Sequence, residues 1–211
     1  MEIKIDLSKV RIEDGAMILD LDNDTIQSVR DGGKVELGSL NVGDRFMIGD
    51  DRFIVLEHTD NGTKVISESF IYTSMKFGDS SDWKQSKIRS KLNDAYYKRL
   101  VKVVGSDSII PMKRNLTSLD GLDDYGMCED NVSMLTAGEY AKYHKTLGLK
   151  SNYPAWWWTI TPASTPSNDY SRGVCCVCSR GVLCWGDCDC ENGVRPFCIL
   201  KSSLLVLVNK D

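Results

Sequence analysis

Along Met1–Asp31 apolar and polar residues alternate in places, at Ile3, Ile5 and Leu7 and again at Met17, Leu19 and Leu21. A period of two predicts short strands, with Asp14-Gly15 and Asp22-Asn23 as the turns between them. Asp31-Gly32-Gly33 marks a boundary, dividing the chain into an N-terminal β appendage or tether over 1–33 and a main domain over 34–211. From Val35 to Ser67 the strand-like runs Phe46–Ile48, Phe53–Glu57 and Lys64–Ser67 are separated by Gly49-Asp50-Asp51 and Asp60-Asn61-Gly62, which predicts a β-meander with positive-φ hairpin turns. The period changes at Ser81. Trp83, Ile88, Leu92, Tyr96 and Leu100 share a helical stripe within 81–104, with Ser81 as a candidate N-cap and Asn93-Asp94 as a break into two short helices.

Gly105–Cys128 is rich in Gly, Asp and Ser and predicts a long irregular surface excursion. Thr136-Ala137-Gly138-Glu139 is a capping box that opens a helix through about His144, with Tyr140 and Tyr143 in packing roles. Thr159–Asn168 is rich in Thr, Pro and Ser and predicts a loop. Val174, Val177, Val182 and Leu183 predict short strands, with Gly173, Gly181 and Gly186 as turn points. Phe197–Val208 predicts a buried strand beside the first strands of the main domain. The sum is an α+β fold of mixed short antiparallel strands, two or three helices and long irregular loops.

Charge and composition narrow the partners. The net charge of the 211 residues is −4 and no basic face is evident, which argues against nucleic acid. No apolar run is long enough for a membrane span and MEIKIDLSKV has no signal core, so the expectation is synthesis in a cytoplasm, no membrane insertion and mostly reduced thiols. Phage particles leave cells by lysis, so that expectation is compatible with a final place outside the cell. His58 and His144 have neither a neighbouring nucleophile nor metal-ligand spacing and read as surface residues. Asp20, Asp22 and Asp24 begin like a calcium loop but lack its Gly and closing Glu, so a solvated strand edge is the expectation.

The composition shifts sharply near the C-terminus. Ser151–Leu200 contains no Lys, Met or Gln, and Glu191 is its one Glu. Three consecutive tryptophans, Trp156–Trp158, open the segment that ends in Gly193-Val194-Arg195-Pro196, and six of the eight cysteines lie between. Zinc is one reading, with Cys175 and Cys178 as a CxxC pair and Cys184, Cys188, Cys190 and Cys198 available to complete it. Cys176 intrudes into that pair and Cys188-x-Cys190 is too tight for a normal second pair. A thiol-dependent enzyme is another reading, but the CxxC lacks a strand-to-helix context and has no nearby His or Lys to depress a thiol pKa. A third reading is genetic. Free replacement of both adenines in an AAC codon reaches Cys, Asp, Ser, Gly and Arg but never Lys, Glu, Gln, Met or Trp. Between Ser167 and Asn192 the exceptions to that set are Trp185 and Glu191.

Five motifs in order carry a family resemblance: Trp83–Asn93 (W-x-x-S-x-I-R-x-x-L-N), Leu135–Tyr143 (L-T-x-x-E-Y-x-x-Y), Trp157–Pro162 (W-W-x-x-T-P), Val174–Gly181 (V-x-x-V-x-x-x-G) and Gly193–Pro196 (G-V-R-P). Trp83 through Leu200 resembles the variable proteins of diversity-generating retroelements found in gut bacteria and their phages. These have the C-type-lectin fold in its formylglycine-generating-enzyme-like form, and an error-prone reverse transcriptase rewrites their C-terminal coding segment. One departure is Thr159-Ile160-Thr161, where the family usually has Leu-Arg-Ser after its tryptophans.

The resemblance implies a C-type-lectin-like domain with a hypervariable segment at about 167–192. It implies a non-enzymatic display protein binding a protein or glycan ligand on a target cell surface. The place would be a phage virion or a bacterial cell surface, with a homo-oligomer or attachment to a larger particle compatible with that role. It further implies that Val174, Val177 and Trp156–Trp158 fill the core, that Gly181 and Gly193 take special backbone conformations, and that Arg195 is a buried polar anchor. The exchangeable, exposed ligand-binding set would be Asp169, Tyr170, Ser171, Arg172, Cys175, Cys176, Cys178, Ser179, Arg180, Cys184, Trp185, Asp187, Cys188, Asp189 and Cys190, with thiols that react freely. Tyr170, Trp185, Arg172 and Arg180 are its strongest anchors, because aromatics and Arg dominate interface energetics. No catalytic residue, metal or cofactor is assigned on this reading. The alternative keeps a zinc or thiol-enzyme role for Cys175, Cys178, Cys184 and Cys188.

Overall fold

The computed structural model describes residues 10–13, 16–19, 33–148 and 155–208. The turns at Asp14-Gly15 and Asp22-Asn23, the Asp20/Asp22/Asp24 run, and Ile3, Ile5, Leu7 and Leu21 lie outside the described residues. What is described of the N-terminal piece is an antiparallel hairpin of β1 (Val10–Glu13) and β2 (Ala16–Leu19).

The expected meander is present. After β3 (Lys34–Glu36), the strands β4 (Arg45–Ile48), β5 (Asp51–Thr59) and β6 (Gly62–Ser67) pair antiparallel in chain order. Gly49 (φ 58°) and Gly62 (φ 137°) take positive φ at its turns, a conformation that side chains with a Cβ resist. β7 (Tyr72–Lys76) leads to a helical segment made of α1 (Lys87–Lys91), a π turn (Leu92–Tyr96) and α2 (Tyr97–Val104). Then come β8 (Ile109–Ile110), β9 (Met112–Asn115), β10 (Met127–Asp130) and α3 (Ala137–Leu147). The chain finishes with β11 (Trp157–Pro162), β12 (Gly173–Val177), β13 (Leu183–Asp187), β14 (Glu191–Val194), β15 (Phe197–Leu200) and β16 (Leu205–Val208).

Two larger sheets result. One runs β3-β16-β4-β5-β6-β15-β8 and the other β13-β12-β11-β14-β7, with β9–β10 as a separate ribbon. Pairing is antiparallel except between β11 and β14. The fold is therefore α+β with mostly antiparallel strands and two helical segments. Phe197–Val208 lies beside the first strands of the main domain as expected, but as two strands around a turn, β15 against β6 and β16 between β3 and β4. Gly105–Cys128 is less irregular than its composition predicts. It contains β8 and β9, and Ile109, Met112, Arg114 and Leu116 are buried.

The helical stripe holds, since Trp83, Ile88, Leu92, Tyr96 and Leu100 are all buried. Its cap does not. Ser81 turns its hydroxyl to Tyr125 (3.1 Å), Asp82 caps a 3-10 turn at Lys84 N (2.9 Å), and Ser86 caps α1 at the N–H groups of Ile88 and Arg89 (3.1 Å each). Asn93-Asp94 does not break the segment either, because the π turn carries the helix through. Asn93 instead accepts from the N–H groups of Asn131 (3.0 Å) and Val132 (3.1 Å) and donates to Val132 O (2.8 Å).

Three carboxylates that join separate elements are each answered by several donors, as a low-dielectric setting requires. Asp130 accepts from Trp83 Nε1 and Arg89 Nε, both at 2.7 Å. The capping box of α3 is complete, and Glu139 also takes a bidentate bond from Arg114 (2.9 and 2.6 Å). Glu57 on β5 joins three elements, accepting from Lys142 and Tyr143 of α3 and from Lys64 of β6 (2.8 Å).

The hydrogen bonds from Lys142, Lys64 and Tyr143 hold the Glu57 carboxyl down at about 2, against an ordinary 4.5. A depressed folded-state value stabilises the fold above the unfolded value and loses that contribution as pH falls through the folded one. Urea titrations across pH should show this loss between about pH 4.5 and about 2. Glu57→Gln should flatten it by ~1 kcal/mol, a partly solvated ion-pair value.

Candidate functional site

β11 carries the site. Trp157 and Trp158 are consecutive strand residues, so their side chains leave opposite faces, and both are fully buried. Trp157 meets Tyr140 of α3 edge-on (5.5 Å between centroids) and lies under the Arg195 guanidinium (5.2 Å). Trp158 meets Phe77 (5.7 Å) and donates to Met75 O (2.8 Å). Trp156, expected in the same core, is 44 % exposed, because it precedes the strand. Thr159–Pro162, expected as loop, continues β11. Its β-branched Thr and Ile residues suit an extended chain flanked by β12 and β14.

β12 and β13 form the outer hairpin. Its turn has Gly181 at φ 74°, and Tyr140 donates to Gly181 O (2.7 Å), tying the hairpin tip to α3. Gly173 and Gly186 sit within the strands, not at turns. Gly173 is needed for space, since a Cβ there would come within 2.6 Å of the Tyr170 ring. Gly193 is likewise set by packing, not positive φ, because its Cβ would stand 2.8 Å from Phe70. Arg195 is the expected buried anchor, donating to Ser67 O (2.9 Å).

The stretch from Ala163 to Arg172 is held by its backbone. Ala163 N donates to Gly173 O (2.9 Å), Ser81 N to Ser171 O (2.7 Å), and Cys188 N to Arg172 O (2.8 Å). Asp124 accepts from both Ser167 N and Ser167 Oγ (2.8 Å each). Asp169 takes a left-handed conformation (φ 52°), which Asp tolerates better than most residues.

The expected binding set divides by burial. Asp169, Arg172, Arg180, Trp185, Asp189 and Cys190 are exposed, and Tyr170, Ser171, Ser179, Cys184 and Asp187 are partly so. Cys175, Cys176, Cys178 and Cys188 are buried, which overturns their expected exposure. β12 lies between β11 and β13, and all five of its residues are buried. Cys176 faces Trp158 on one side and Cys184 on the other, while Cys175 stands opposite Trp185. Cys188 is drawn inward as its carbonyl accepts from the N–H groups of Phe77 (3.0 Å) and Gly78 (3.3 Å). Gly173–Val177 also reads as a short continuous apolar run once Cys is counted as a small hydrophobe, and that signal could have placed these thiols inside.

The exposed members converge. Tyr170 and Trp185 meet edge-on with centroids 5.9 Å apart, and Arg172 bridges Asp187 (2.7 Å) and Asp189 (2.9 Å). Leu183 opens β13 as the predicted strand, Val182 immediately precedes it, and both are exposed on the same hairpin. The result is an aromatic pair beside a fixed charge cluster on an edge strand, a surface chemically suited to adhesion. Burial pushes the Cys175 and Cys198 thiols up to about 12, which keeps them protonated and weakly nucleophilic. Among the described residues no three His, Cys, Asp or Glu side chains are grouped to hold a metal ion.

A family model described as a domain of unknown function, DUF6273, matches residues 115–202. That span takes in α3, the central strand and the whole outer hairpin, and the chain is similar to the family over it. No curated protein and no solved structure matches the chain.

Under native conditions a thiol reagent should label Cys190 first and Cys128 and Cys184 more slowly. Cys175, Cys176, Cys178, Cys188 and Cys198 should react once the protein unfolds, as quantified by peptide mass spectrometry. Cys175→Asp should cost at least ~2 kcal/mol by urea denaturation, since it buries a charge with no cation beside it, whereas Trp185→Ala should stay within ~1 kcal/mol.

Proposed function

We propose that this chain is a non-enzymatic, hypervariable ligand-binding protein with a C-type-lectin-like domain, whose C-terminal surface residues are diversified by a retroelement. The observation that carries the reading is the division of labour within 167–192. Backbone groups there are tied to β7, β11, the stretch 77–81 and Asp124, while Tyr170, Arg172, Arg180, Trp185, Asp187 and Asp189 stand exposed or partly exposed. A scaffold of that kind accepts exchanged side chains without moving its backbone. The motifs behind the family resemblance fall on the opposite class of residue. Trp83, Asn93, Glu139, Trp157, Val177 and Arg195 all pack or hydrogen-bond within the fold.

The ligand on this reading is a protein or glycan on a target cell, and the site of action is a virion or bacterial cell surface. Oligomerisation or attachment to a particle would add avidity. Among the described residues no helix is long and apolar enough to cross a membrane. Burial refines the exchangeable set to its exposed and partly exposed members, because substitutions at Cys175, Cys176, Cys178 and Cys188 act on the core.

Sequencing this gene's last segment across one population, with its flanking DNA, tests the proposal. Differences should concentrate at the codons for Asp169–Arg172, Ser179, Arg180, Cys184, Trp185, Asp187, Asp189 and Cys190, with a nearby near-copy carrying adenine at those positions. An invariant segment with no such copy overturns the reading.

A further inference from the structure

The outer hairpin contains a thiol pair placed for oxidation. Cys178 N donates to Val182 O (2.9 Å) and Cys188 N to Arg172 O (2.8 Å), so 178/182 and 172/188 are hydrogen-bonded pairs of one ladder. Such pairs recur at every second residue, which makes Cys176/Cys184 a bonded pair with Cα atoms ~5.5 Å apart. Disulfides span Cα separations of about 4.4–6.8 Å. Register sets the two residues directly opposite each other, and their Sγ atoms already lie 3.5 Å apart. Cys184 is partly exposed on an edge strand, whereas Cys176 is fully buried behind it.

We propose that Cys176 and Cys184 are a reversible redox couple that a small-molecule disulfide oxidises to a cross-strand bond, locking β13 onto β12. The accessible Cys184 sulfur, as thiolate, attacks the small disulfide. One S–S bond breaks, a mixed disulfide forms at Cys184, and one small thiol leaves. The Cys176 sulfur, having given up its proton, then attacks the Cys184 sulfur and displaces the second small thiol. The two protein thiols are oxidised, the small disulfide is reduced to two thiols, and the protons balance. Because β13 has a neighbour on one side alone, the bond would fasten the strand that presents Trp185 and Asp187. The inference rests on this geometry and stands whether or not the segment is diversified. Cys178, two residues along the same face of the hairpin from Cys176, is the competing partner.

The test incubates the full chain with oxidised glutathione, blocks free thiols and maps tryptic peptides without reduction. Cleavage after Arg180 separates the two strands, so the bond appears as a linked pair of peptides. Fragmentation should assign it to Cys176 and Cys184, and dithiothreitol should abolish it. Cys176→Ser and Cys184→Ser should lose the linked pair while Cys178→Ser keeps it. Persistent glutathione on Cys184 with no internal bond, a Cys178–Cys184 bond, or no reaction overturns the proposal. The mapping on the unsubstituted chain decides the matter even where a serine variant fails to fold.

Discussion

Trp157 and Trp158 hold the five-stranded sheet in place by pointing opposite ways from one strand. A strand buried on both faces has no side chain free to adapt, so its position is set from above and below at once. Trp157 fixes β11 against α3 and Arg195, and Trp158 fixes it against Phe77 and the backbone of β7. β12 on one side and β14 on the other then inherit that position through their pairing. Gly193 lets β14 come close because nothing larger fits beneath Phe70, and its N–H closes onto Trp156 O at 2.7 Å.

The polar motif residues do a second job, which is to join segments distant in sequence. Asp130 gathers Trp83 and Arg89, Glu139 gathers Arg114 and the start of α3, and Asn93 gathers the backbone around Val132. Asp130 is buried and Asn93 and Glu139 are partly so, and removing any of them would leave desolvated partners unanswered, a larger loss than the hydrogen bond alone represents. This explains why Trp83–Asn93 and Leu135–Tyr143 look like motifs. Their spacing follows helical faces turned toward partners far along the chain.

Local periodicity made much of the fold legible, since the meander, the helical stripe and the capping box each depend on residues close in sequence. Features that depend on tertiary context were not. Ser81 looked like a cap, yet Asp82 and Ser86 do the capping and Ser81 serves Tyr125. Thr159–Pro162 looked like loop by composition, yet it continues β11, and Pro162 pairs with Val174 of β12. The candidate surface was legible at Tyr170, Arg172 and Trp185. It was misread at Cys175, Cys176, Cys178 and Cys188, because thiol and carboxylate were grouped by coding origin and not by polarity. Val182 and Leu183 are apolar residues that the hairpin leaves outside, which their strand-like pattern did not reveal.

The corrected burial bears on the proposal that this hairpin varies. In the pair β12–β13, one strand is interior and the other is an edge, so tolerance to substitution is unequal across a ladder only two strands wide. β13 alternates exposed Leu183 and Trp185 with partly buried Cys184 and Gly186, and thus offers about every second side chain to a ligand. β12 offers none, and small apolar residues such as Cys and Val are what its space admits. Breadth must therefore come from the flanking loops, and it is there that Asp169, Tyr170, Arg172, Arg180 and Asp189 are found. A binding face built this way keeps its shape in β11 and β12 and changes its chemistry in β13 and the loops, so affinity and stability draw on different residues.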